Sequence, residues 1–403
     1  MDFFASELGK KGFARTFGEY IFAPSANYPA GPRPEKNGDP EMLARFISGF
    51  LHPLIHTGYG AEFGLLGLSA EGNYCFFVCI MLSYLREGLA MTAVHSPQGH
   101  GLLSPSYFDS PMKPGNLHAL SVLALVAKDE RFEHIKRMEE TDLWAFVTSF
   151  GETLRAYAEM WAFDVADKED VAKAVEELAW LNAIIYGVGG MSGRGDNEKA
   201  FNADFFLMHL VTSSIFLPSL LTSLYQNSRA QALLLRSYFA TSLALYVGRG
   251  RPNIDIAKFY SDTSLFLPSS GRDVVPGPQP SPSKHTLPNR KSAEARTPNP
   301  WLSVVQTTLV HPNEHLCKAQ RSLAHFSSLY GLRGQGWFAS LRGQQTNQSM
   351  DDTLVEDAER SLGFGKLDGT LFLRVAMLTA HRLGWMREGE SEQGWDTEGF
   401  FEK

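Results

Sequence analysis

The pentapeptide His-Pro-x-x-His occurs twice, as His52-Pro53-Leu54-Ile55-His56 and as His311-Pro312-Asn313-Glu314-His315. With 12 His and 21 Pro in 403 residues, chance gives roughly 0.02 copies per chain, so two copies stand above the background of short motifs. Proline is tolerated in a helix's first turn, where its missing N–H costs nothing. Each copy therefore reads as a helix start, with the second His about one turn inside and on the same side as the first. Imidazole is the commonest side-chain metal ligand and suits Fe, Zn, Cu and Ni. Two such helix starts facing one another would bring several imidazoles to one point, forming a polyhistidine metal site.

Other residues bear on that site. His209 lies midway along the apolar run NADFFLMHLVTSSIFL. An unpaired imidazole would be costly there, so it is either a hydrogen-bonded core histidine or a ligand. Glu62 could orient an imidazole of the first pair. In HPNEHLCKAQRSLAHF, residues His315, Lys318 and His325 share a helical face, with Arg321 beside them. Metal ligands must be deprotonated. Lys318 would join a site only as the neutral amine, or as the carbamate made with CO₂, an anionic oxygen ligand; otherwise it is a solvated lysine. His95 and His100 sit in a Pro/Gly loop that could reach a pocket mouth. His118, His134, His285 and His381 read as structural or solvated.

Several chemistries are disfavoured. There is no C-x-x-C for a structural zinc, no H-E-x-x-H and no G-x-S-x-G elbow. The Gly-rich stretch 187–195 has Ser192 where a dinucleotide fingerprint needs its third Gly, and reads as a helix–helix loop. Net charge is −7 without a long basic run, which disfavours nucleic acid and anionic membranes as partners. Cys75 and Cys79, in the apolar run NYCFFVCIML, read as buried thiols of a reducing compartment. The N-terminus has no signal-peptide pattern and no apolar run reaches a membrane span's length. The expectation is a soluble, cytoplasmic protein.

The elements that must position these residues are helical. Three- and four-residue apolar spacing marks 41–56 (broken at Pro53), 74–92, 117–128, 140–164, 168–186, 202–217 with Asn202 as cap, 228–247, 311–330 and 352–383. No alternating strands or hairpin signals appear, so the class is all-α. Residues 268–300 hold eight prolines and almost no large apolar side chain; such a stretch reads as a mobile excursion from a single domain. The 28 Phe, 13 Tyr and 7 Trp suffice for an aromatic pocket, although most should be core.

Three segments together, FLHPLIHTGYGAEFG at 50–64, FFLMHLVTSS at 205–214 and HPNEHLCKAQRSLAHFSSLYG at 311–331, resemble the questin oxidase-like family of fungal secondary metabolism. The resemblance implies a non-haem Fe(II) oxygenase using O₂ for Baeyer–Villiger-type oxidative C–C cleavage of an anthraquinone-type aromatic polyketide. It carries over His52, His56, His209, His315 and carbamylated Lys318 as metal ligands. Tyr59 and Arg321 are expected near the substrate. NADPH would act directly or through a separate reductase. Two other readings stand beside it: a metal-dependent hydrolase or lyase with a redox-inert ion, and a non-catalytic helical protein binding an aromatic metabolite.

Overall fold

A computed structural model describes residues 1–29, 38–67, 74–110, 112–133, 135, 145–192, 201–261, 299–339 and 352–401. Among them every regular element is helical, with only two isolated bridges, Leu117 to Trp161 and Asp204 to Asp396. The all-α expectation is met. The Pro-rich stretch 268–298 and the side chains of Cys75 and Cys79 lie outside the described residues. No single described helix is long and apolar enough to cross a membrane. By contacts the chain divides into two compact units.

The first unit comprises 1–122, 138–178 and 213–248. Its His52–Gly67 helix packs along Tyr74–Val94 at very close range. Gly88 permits this, because a Cβ there would run into the Thr57 side chain and backbone. Thr57 and Thr92 each return their hydroxyl to a carbonyl one turn back, Pro53 and Gly88 respectively, so neither buried oxygen is left unmet. The long helix Ser228–Gly248 is buried on nearly every face. Its buried Arg236 donates to the carbonyls of Ala158 and Trp161, closing the end of helix Ala145–Glu159. Glu177 accepts from the Trp161 indole at 2.8 Å and from the Ala119 backbone at 2.9 Å, capping helix Ala119–Lys128.

The second unit comprises 123–137, 179–212 and 249–403. Here Glu314–Tyr330 packs on Leu371–Leu383 and on Pro300–Val310. Trp180, Phe338, Phe372 and Phe326 make its aromatic core, with Trp180 4.8 Å from both Phe338 and Phe372. Helix 168–183 passes into a π turn, Ile184–Val188, and then a 3₁₀ turn, Gly189–Met191. The expected loop at 187–195 is thus helical at least to Met191. Tyr186 in the π turn meets the Thr379 hydroxyl at 2.9 Å, which settles a fully buried phenol.

Candidate metal centre

The two pentapeptides fold differently. In the first, His52 opens the helix His52–Gly67 and Pro53 sits in its first turn, as the sequence suggests. The approach is unusual: Gly49, Phe50 and Leu51 have φ of 55°, 53° and 66° in succession. The left-handed region costs a non-glycine residue about 1 kcal/mol or more, and surrounding bonds hold it there. Gln98 accepts from the Gly49 backbone at 3.0 Å, Ser48 accepts from Gln98, and Arg45 donates to the His95 carbonyl at 2.6 Å. Gly49 also lies against the His95 ring, where any Cβ would clash. The loop carrying His95 therefore serves to seat the chain before His52.

One turn on, His56 Nδ1 is 3.6 Å from a Glu87 carboxylate oxygen, and its ring is 6.1 Å from Tyr84. Glu87 thus places a carboxylate beside this imidazole. Tyr59 belongs to an aromatic group, with ring centroids 4.6 Å from Phe216, 5.7 Å from Tyr84 and 6.0 Å from Phe63.

In the second pentapeptide the helix starts later. His311 ends helix Pro300–Val310, and the next helix, Glu314–Tyr330, is capped by Asn313, whose Oδ1 accepts from the His315 backbone at 3.0 Å. His311 is therefore not inside a first turn beside His315. Its Nε2 donates to the Leu383 carbonyl at 3.1 Å, and its Nδ1 accepts from the Asn313 backbone at 3.1 Å. Both nitrogens are committed to backbone, so this is a structural histidine. His315 is half-buried. Burial pushes its pKa below the ordinary value, the Lys318 ammonium adds to that, and the Glu314 carboxylate opposes it. The neutral ring is favoured, the form a metal ligand requires.

His209 is buried in helix Phe205–Ser214. Its Nδ1 lies 2.8 Å from the Phe205 carbonyl. A carbonyl only accepts, so Nδ1 carries the proton and Nε2 is the nitrogen able to take a metal. The helix is capped by Asp204, not by Asn202: Asp204 Oδ1 accepts from the Phe206 and Leu207 backbones at 3.0 and 2.9 Å. Arg249 donates to the same carboxylate at 2.7 Å. Within this unit the His209 and His315 rings are 5.6 Å apart, with the Phe205 ring 4.9 Å from one and 5.0 Å from the other.

Within the second unit, His209 and His315 each offer a ring nitrogen, and these atoms lie within 4.8 Å of each other. Lys318, one turn beyond His315, has its Nζ 3.0 Å from Glu314 Oε1. Arg321 is partly exposed on the same helix. A groove of about 740 Å³ between the N-terminal helices and the Leu217–Ser223 region contains none of the histidines; it is lined by Lys11, Arg15, Glu19 and Arg229 among others. Sequence reasoning missed Asp204, Asn313 and Arg249. The first two were detectable, since each precedes a helical run by one residue, as N-caps do.

A model of the questin oxidase-like family matches residues 1–323. Among curated proteins the chain is similar to oxidoreductase AflY of Aspergillus parasiticus, 24% identical over 80% of this chain and 53% of that protein. It is also similar to Baeyer–Villiger oxidase ptaJ of Pestalotiopsis fici, 25% identical over 64% of this chain and 51% of that protein. A third relative is a questin oxidase of Aspergillus terreus, 22% identical over 66% of this chain and 53% of that protein. The chain spans about half the length of the curated relatives it matches.

Proposed function

The chain belongs to the questin oxidase-like family, and we propose that it is a non-haem iron oxygenase that opens a ring of an anthraquinone-type polyketide. One observation carries the reading: ring nitrogens of His209 and His315, two of the ligands the family resemblance implies, lie within 4.8 Å of each other. The donor chemistry fits. Neutral imidazoles suit iron as well as other first-row metals, and the His209 tautomer is already set by the Phe205 carbonyl. The relatives named as a questin oxidase and a Baeyer–Villiger oxidase support an oxidative reaction over a hydrolytic one.

The proposed ligand set is His52, His209 and His315, extended by His56 and by Lys318 as its carbamate. Helical spacing supports both additions, since each lies one turn from a member of the triad. Glu87 beside His56 would orient that ring. Iron bound here supplies the one-electron chemistry that dioxygen requires. The chain's own groups do the rest. Phe205 holds a proton on His209 Nδ1, the Tyr59 group offers a flat aromatic wall for a polycyclic substrate, and Arg321 orients its oxygens. Reducing equivalents from NADPH, taken directly or through a separate reductase, belong to the same proposal.

The test is metal analysis of protein purified anaerobically, followed by O₂ consumption with anthraquinones. The expected result is about one iron per chain, as a single mononuclear site requires, and its loss in His209→Ala, with occupancy lowered in Lys318→Ala. Stoichiometric zinc, or full iron in His209→Ala, would overturn the assignment.

A further inference from the structure

The segment Trp395–Phe400 makes contacts within the second unit that the proposed chemistry leaves unused. Asp396 forms a short parallel bridge with the residues before the His209 helix: its N–H donates to the Ala203 carbonyl at 2.9 Å, and its carbonyl accepts from the Phe205 N–H at 2.8 Å. The Asp396 carboxylate accepts from the Ala203 N–H at 2.8 Å and from Arg382 at 2.6 Å. Next, the Thr397 carbonyl accepts from Arg249 at 2.7 Å, the same guanidinium that holds the capping Asp204. Phe400 donates to the Arg249 carbonyl at 2.9 Å.

The segment reaches the other histidine helix as well. Trp395 Nε1 donates at 3.1 Å to Asn313 Oδ1, the atom that caps the helix carrying His315. Phe205, the first residue of the His209 helix, has its ring centroid 6.4 Å from that of Trp395. Its ring touches both imidazoles and its carbonyl fixes the His209 tautomer. The segment is tied to the first turns of the two helices that present His209 and His315. It also lies beyond residue 323, where the match to the family ends.

We infer that Trp395 and Asp396 are positioning residues for the metal centre: one segment locks the starts of both histidine helices, so the spacing and tautomer of His209 and His315 depend on it. The inference rests on the metal-site reading for its purpose, and its test separates the two. Ligand-supporting groups of this kind alter metal affinity about 10- to 100-fold when removed. Trp395→Phe keeps the ring and deletes only the N–H to Asn313. Asn313→Ser keeps a helix cap but is too short to reach Trp395, and serves if the first variant does not fold.

The full chain, labelled with ¹⁵N at histidine, is titrated with Co(II) while the d–d bands are read. Long-range ¹H–¹⁵N spectra of the metal-free imidazoles are recorded beside it. Both variants are expected to bind Co(II) about 10-fold more weakly with altered bands. Their His209 and His315 signals should shift or broaden, while His311, held by its own backbone bonds, keeps its signal. Imidazole signals and Co(II) affinity equal to wild type would overturn the inference. If wild type binds no Co(II), the metal reading fails, and the metal-free imidazole spectra alone decide whether the segment positions the pair.

Discussion

Asp204→Asn isolates one interaction beneath the candidate site. Asp204 and Arg249 are both buried, at 0% and 5% exposure, and their closest atoms are 2.7 Å apart. At that distance and an effective dielectric of about 20, their attraction is about 6 kcal/mol, against which desolvation of both ions must be set. Asparagine keeps an oxygen for the Phe206 and Leu207 N–H groups, so the helix cap survives. What it removes is the charge opposite Arg249, whose other neighbours include the Thr397 carbonyl and the Phe206 ring, 4.4 Å from its guanidinium carbon. Stranding a buried charge costs about 3–5 kcal/mol. Asp204→Asn should therefore lower the urea unfolding free energy by about that amount. Asp204→Asn combined with Arg249→Met removes the stranded cation and should be less destabilised than the two single losses added together, giving a coupling of about 2 kcal/mol or more. A cost below about 1 kcal/mol for Asp204→Asn, or strict additivity in the double variant, would refute the account.

The two histidines of the second pentapeptide should separate cleanly. His311→Ala loses two backbone hydrogen bonds and should cost about 2 kcal/mol with iron retained; His315→Ala should lose iron with little change in metal-free unfolding, and the reverse pattern would contradict the assignment. Gly88→Ala forces a methyl against Thr57 and should destabilise by about 1–3 kcal/mol in thermal unfolding, whereas a neutral result would mean the helices can separate freely. The last prediction concerns pH. Burial holds His118 down to about 3 and pushes Glu177 up to about 7, with Nε2 of the one 3.5 Å from a carboxylate oxygen of the other. Below pH 6.5 the unfolded chain binds a proton that folded His118 refuses, so this term adds stability as pH rises from about 3 to 6.5. Above pH 4.5 folded Glu177 keeps a proton that the unfolded chain has lost, so its term removes stability as pH rises to about 7. The two slopes cancel between 4.5 and 6.5. Glu177→Gln leaves only the histidine slope, about 1.4 kcal/mol per pH unit, and should be roughly 3 kcal/mol more stable at the upper end of that window than at the lower. Equal profiles for variant and wild type would show that folded Glu177 does not hold its proton through this window.

Much of the helical layout was legible because apolar spacing is a property of the chain itself. The runs at 74–92, 117–128 and 228–247 became helices at Tyr74–Val94, Ala119–Lys128 and Ser228–Gly248. Boundaries were less legible. The run 352–383 is two helices, Asp352–Leu362 and Leu371–Leu383, because Gly363 turns left-handed at φ 79° between them. The cap of the His209 helix was placed two residues early, at Asn202, since both Asn and Asp suit an N-cap and only tertiary pairing with Arg249 selects Asp204. The N-terminal helices Asp2–Lys11 and Phe13–Phe17 were not assigned; their packing relies on aromatic contacts such as Phe17 with Phe46, at 5.3 Å, rather than on clean periodicity. At the site, the pentapeptide spacing pointed to His52, His56, His311 and His315 alike, and the apolar surroundings pointed to His209. Spacing could not find Asp396, which meets the His209 helix through a backbone bridge, or Trp395, whose indole N–H reaches Asn313, because neither contact leaves a pattern of that kind.

The repeated pentapeptide is the instructive case, since the same His-Pro-x-x-His pattern folds in two ways. In the first copy Pro53 follows His52 into a helix whose entry is held in left-handed geometry by the His95–Gln98 loop, so His52 projects from a first turn. In the second, Pro312 follows a finished helix, and Asn313 rather than His311 accepts the N–H that begins the next one. His311 is then captured whole, one nitrogen by Leu383 and the other by Asn313. Which imidazole can serve a metal is thus decided by where the backbone spends its unpaired donors and acceptors at each helix end. A histidine whose two nitrogens complete that accounting is structural. One whose ring is turned by a backbone acceptor, as His209 is by the Phe205 carbonyl, is aimed, and aiming is what a ligand requires before any ion arrives.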